Sequence, residues 1–127
     1  MKSIFRSLFV VLMLLSLSIS AIAENNLARE KAMFSQLMQA ISQNDYKSFI
    51  SNGNSQFKSG ITKQAFDSLV NQVGDLIWGG YKAEYLAELN QQGNRVYLWK
   101  ISYDTSSENT LAKLVIINNK VAGFWLQ

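Results

Sequence analysis

The chain contains no cysteine, no proline and no histidine, and each absence removes a class of chemistry. Without cysteine there can be no disulfide framework, redox dithiol or thiolate nucleophile, and without histidine the Ser-His and Cys-His nucleophiles and most zinc sites also go. Without proline, elements must be ended by glycine and polar turn residues alone. Charge is scarce: 17% of the residues are charged and the formal net charge is +3. Two of the positive charges, Lys2 and Arg6, fall in a segment read below as a leader. What remains is close to neutral, which gives no basis for nucleic acid as a partner. No cofactor motif is present, and the expected set of cofactors, metal ligands and catalytic residues is none.

What the chain does have is apolar bulk, 48% of 127 residues, enough for one small domain and too little for two. The first 23 residues read as a secretory signal peptide. Lys2 and Arg6 precede an apolar run from Leu8 to about Leu17, and Ala21-Ile22-Ala23 places small residues where a signal peptidase requires them. The competing reading, an uncleaved anchor, meets an apolar stretch from Leu8 to Ile22 that is shorter than the roughly 20 residues a spanning helix needs. The expectation is a periplasmic or secreted domain over 24–127, with no stable membrane anchor after cleavage. No cysteine follows the apolar run to take a lipid, so the exported fold must hold by packing alone.

Within 24–127 the hydrophobic period changes from helical to alternating, the order of an α+β domain. A first helix is expected over 27–42, capped by Asn26, with Leu27, Phe34, Leu37, Met38 and Ile41 on one face. Gln43-Asn44-Asp45 breaks it, and Asp45 is placed to cap a short second helix that turns Tyr46, Phe49 and Ile50 inward. The polar stretch 51–60, with two glycines, reads as a loop. Thr62 caps a third helix over 63–73, stapled by Ile61 and Phe66 and stopped by Gly74.

Four strands are expected over about 77–89, 95–103, 110–117 and 120–126. Gln91-Gln92-Gly93 reads as a three-residue turn pairing Asn90 with Asn94, so that Glu84 faces Lys100. A four-residue loop over 105–108 pairs Asp104 with Asn109, and Asn118-Asn119 is a two-residue turn that tolerates positive φ. These registers collect Tyr81, Ala83, Tyr85, Ala87, Tyr97, Trp99, Ile101, Tyr103, Ala112, Leu114, Ile116, Val121, Gly123 and Trp125 on one uncharged face. Lysines and glutamates go to the other, interrupted by Leu86, Leu98, Val115, Phe124 and Leu126. Gly79-Gly80 offers a place for the sheet to bend.

Gln43-Asn44-Asp45-Tyr46 after the first helix, Gly74-Asp75-Leu76 at the entry to the sheet, and the closing stretch from Val115 to Phe124 resemble the nuclear-transport-factor-2-like (cystatin-like cone) superfamily. That group includes ketosteroid isomerase, scytalone dehydratase and small secreted bacterial domains of unknown function. The resemblance implies three N-terminal helices packed on a curved four-stranded antiparallel sheet, cone-shaped, whose interior holds a small molecule, an acid-base site or only side chains.

Three functions follow as expectations. A binding domain for a small apolar molecule would use Tyr81, Tyr85, Trp99, Tyr103 and Trp125, where large rings stand beside Ala83, Ala87, Ala112 and Gly123. A protein partner or a second copy would use the apolar strip of Leu86, Leu98, Val115, Phe124 and Leu126. An enzyme resembling the isomerase or dehydratase is the weaker alternative. No carboxylate falls on the inward sheet face, Glu84 and Asp104 fall outward, and an unassisted tyrosine with a pKa near 10 is a poor base. Such a role would need a helix carboxylate, such as Glu30, to reach inward.

Overall fold

A computed structural model describes residues 27–127; the leader and its cleavage point lie outside the described residues. Contacts divide the chain within the first helix, after Lys31, and residues 32–127 form one unit that carries the packing described here. Among the described residues the fold is α+β, with four helices followed by one four-stranded antiparallel sheet in the order β1-β2-β3-β4.

Helix α1, Ala28–Ser42, buries Phe34, Leu37, Met38 and Ile41, the residues its helical period groups on one face. Asn44 ends it in the left-handed conformation at φ 54°. The Asp45 N–H donates to the Ala40 carbonyl and the Asn44 N–H to that of Ile41, which satisfies carbonyls the last turn would otherwise leave unpaired. Asp45 then caps α2, Tyr46–Ser51, by accepting from the Ser48 N–H at 3.0 Å.

The stretch expected as a loop contains a further helix, α3, Ser55–Gly60. Asn54 caps it through the Phe57 N–H at 2.9 Å, and the buried Phe57 ring anchors it against Phe49 at 5.6 Å. Just before it, the chain runs beside β4 (Lys120–Leu126) in a short parallel bridge at Gly53. There Val121 donates to the Asn52 carbonyl and accepts from the Asn54 N–H.

Helix α4, Lys63–Trp78, starts at the expected Thr62 cap but passes through Gly74 instead of stopping there. Gly74 is buried and helical. A Cβ on it would press on Val70 of the same helix and make ordinary contact with the Ile41 carbonyl of α1. The helix ends at Gly79-Gly80, with Gly80 at φ 110°. Residues 77–80, expected as the start of the first strand, are therefore the helix end and a turn.

The sheet comprises β1 (Tyr81–Gln91), β2 (Asn94–Tyr103), β3 (Ser106–Ile117) and β4. The pairs Glu84 with Lys100 and Tyr85 with Trp99 stand as expected. The first turn is shorter than expected. Gln92 and Gly93 both take positive φ and Gln91 pairs with Asn94, while a bulge between Tyr85 and Ala87 absorbs the difference. Ala87 consequently pairs with Leu98 and leaves the uncharged face.

Between β2 and β3, Ser102 rather than Asp104 pairs with Asn109, and the turn tightens so that Tyr103 pairs with Ser106. The displacement is even, so the two faces are not exchanged. The Asn118-Asn119 turn is as expected, at φ 52° and 63°. Beyond it Ile116 pairs with Val121 but Val115 with Gly123, leaving Ala122 as an extra residue.

That extra residue reverses the outer half of β4. Phe124 pairs with Leu114 and Leu126 with Ala112 on the helix side, and Trp125 pairs with Lys113 on the other. Trp125 and Phe124 thus exchange the faces that strict alternation assigns them, and Leu126 moves with Phe124.

Among the described residues no helix is long and apolar enough to cross a membrane.

Candidate functional site

On the helix side the sheet rings pack into the core. Trp99 is 2% exposed, with the Phe34 ring stacked on it at a centroid distance of 4.5 Å and an interplanar angle of 18°. Offset stacking of this kind contributes about 0.5–1.5 kcal/mol beyond burial. Tyr85 meets Trp99 edge-on at 5.7 Å. Phe124 lies 6.1 Å from Phe34 and 6.2 Å from Phe49, joining α1, α2 and the sheet.

Tyr103 is buried, and its hydroxyl donates to the Thr110 hydroxyl at 3.0 Å. Its cross-strand neighbour Tyr81 is partly buried, and burial raises its phenol pKa above the ordinary 10.0, further from use as a base at neutral pH. Tyr81, Tyr85, Trp99 and Tyr103 therefore do share a face, as the register implied, and Trp125 does not.

Carboxylates do not assemble there. Asp67 is exposed and pairs with Lys63 at 3.2 Å, and Glu88 meets Arg95 at 3.5 Å. Among the described residues no group of three acidic side chains is placed to hold a metal ion. Glu30 is buried, with Oε1 3.5 Å from Arg29 and Oε2 without a hydrogen-bond partner among the described residues.

The opposite face holds a groove of about 640 Å³, within the range of roughly 300–1,000 Å³ typical of small-molecule sites. It is built from the strand period and one exception to it. Val96 on β2 and Val115 on β3 pair across the sheet, and Ile117 follows two residues on, so all three point to the same side. The Ala122 bulge adds Trp125 to that side.

Gly123 completes the arrangement. A Cβ there would run into Cη2 and Cζ3 of Trp125, so the indole lies across backbone that carries no side chain. Trp125 remains 51% exposed while Val96 at the floor is 2% exposed. Lys113, opposite Trp125, places its ammonium 5.4 Å from the ring centroid. Gln91, Gln92 and Asn94 from the first hairpin and Gln56 from α3 complete the lining. No acidic side chain is among the lining residues. Trp125 also borders a smaller crevice of about 180 Å³ between α3 and β4, beside Phe57 and Ile61.

Of the residues expected in an interface, Val115 lines the groove and Leu98 shares its face. Leu86 is the bulge residue of β1 and stands 48% exposed, whereas Phe124 is in the core. The sequence reasoning missed Val96, Ile117 and Lys113 as one group. Its usable signal was the alternation Lys113, Val115, Ile117 on a strand opposite Val96.

Comparison with family models, with curated proteins and with solved structures finds no match for this chain.

Proposed function

We propose that residues 24–127 are an exported, non-catalytic domain that binds a small apolar ligand through the groove on the outer face of the sheet. The observation that carries this reading is Trp125: a half-exposed indole, turned outward by a bulge and resting on a glycine, above a floor that includes Val96. Half of the ten lining residues are polar, and the other half, Val96, Val115, Ile117, Ala122 and Trp125, supplies the apolar and aromatic contact surface that ligand sites use. The helix face of the sheet supports the same choice, because Trp99 and Phe124 already engage rings from α1 and α2 there. The cone of the nuclear-transport-factor-2-like resemblance belongs to this proposal too. Helices before an antiparallel meander, and a bulge in each strand pairing, support a bent sheet.

The test is binding of an environment-sensitive apolar dye to the wild type and to Trp125→Ala. The expected outcome is saturable binding that Trp125→Ala weakens by at least about tenfold, while Tyr85→Phe on the helix side leaves it unchanged. Equal binding by Trp125→Ala would move the site away from the groove.

A further inference from the structure

We infer that the groove takes a single-chain anionic amphiphile, with its acid group at Lys113 and its hydrocarbon chain along Val115 and Ile117; this rests on the groove being the binding site and names what fills it. Lys113, Val115 and Ile117 alternate on one face of β3, so a cation stands at one end of a line whose other positions are apolar. At a strand rise of about 3.4 Å per residue the line runs about 14 Å, the length of a saturated chain of about ten carbons.

The cation is the telling element. Lys113 is half-buried, it makes no ion pair among the described residues, and no carboxylate lines the groove to neutralise it. A cation with no counter-charge among the groove's lining residues favours an anion arriving from outside. Trp125 borders the groove beside Lys113, so that end offers charge and an aromatic wall, while Val96, Val115 and Ile117 continue an apolar line as far as the amides of the first hairpin, Gln91, Gln92 and Asn94.

The test titrates the purified full chain with decanoate and with 1-decanol, each below its aggregation limit, followed by amide and indole NMR shifts, with sedimentation run in parallel. Decanoate is expected to shift Lys113, Val115, Ile117 and the Trp125 indole and to bind about tenfold more tightly than 1-decanol. Lys113→Gln, whose thermal melt is checked beside the wild type, is expected to weaken decanoate about three- to tenfold and leave 1-decanol unaltered.

If the two probes bind alike, or Lys113→Gln leaves decanoate unchanged, the acid assignment fails while the groove stands as an apolar site. If neither probe shifts groove residues, the groove reading fails and the inference with it. A chain that self-associates until Trp125→Ala separates it, and takes up no decanoate, has a second copy in the groove, which also overturns the inference.

Discussion

Gly123 and Trp125 illustrate how one residue sets the environment of another two positions away. The indole occupies the space a side chain at 123 would need, yet the colliding atoms are the far end of a half-exposed ring that can swing into water. Although Gly123 is buried, Gly123→Ala is therefore expected to change stability by no more than about 1 kcal/mol, since all it displaces is the far end of a half-exposed side chain. It should nevertheless displace the Trp125 indole resonance and weaken dye binding. A large fall in the denaturation midpoint would instead mean that the ring contributes to folding.

Tyr81 gives a second test at this scale. Its folded-state pKa is raised by burial, so the neutral phenol is favoured in the fold. The associated stability is fully present below the ordinary value of 10.0 and is lost as pH rises past it. Tyr81→Phe, which cannot ionise, should lose less stability than the wild type between pH 9 and pH 11, measured by urea midpoints. The place of Tyr81 was legible in the register, whereas that of Trp125 was not. Strict alternation sent Trp125 to the core side, and a one-residue bulge carries no compositional mark beyond the small residues Ala122 and Gly123.

Among the elements, those with both a cap and an apolar stripe could be read directly. Asp45 and Thr62 mark the starts of α2 and α4, and Phe34, Leu37, Met38 and Ile41 define the buried face of α1. Helix α3 was not legible because six residues with one large apolar side chain show no period. Its only local signal was Asn54 three positions before Phe57. Asn54→Ala is expected to destabilise the protein by about 1 kcal/mol, seen as a lower urea midpoint with an unchanged slope. A neutral result would mean that the Phe57 anchor alone holds the segment.

The overrun of α4 past Gly74 has a different cause. Glycine stops a helix only where the chain takes positive φ, and here that happens at Gly80 and not at Gly74, which stays helical and buried. The strands were legible because turn chemistry and alternation agree. The even displacement between β2 and β3 spared the faces, whereas the odd one in β4 did not.

For the whole molecule, an α+β order with one antiparallel sheet followed from the change of period, and the separation of a ring-rich helix side from a charged outer side followed with it, except that the β1 bulge turns Glu88 to the side of Tyr97. The groove was not legible, since it draws Gln56 from an unforeseen helix, Val96 and Val115 from neighbouring strands, and Trp125 from beyond a bulge. Export belongs to this scale too. Intact-mass analysis of the protein recovered from a bacterial periplasmic fraction is expected to show a chain beginning at Glu24, and a species retaining Met1 to Ala23 would remove the secretory assignment.

The short bridge at Gly53 has a consequence for how the folded chain meets its own kind. By occupying the hydrogen-bonding groups of Val121, it blunts one flank of the sheet against recruitment of a foreign strand. The other flank, β1, has no strand beyond it among the described residues. There Lys82, Glu84 and Glu88, together with the irregularity at Leu86, are what stands between this domain and ribbon-like polymerisation.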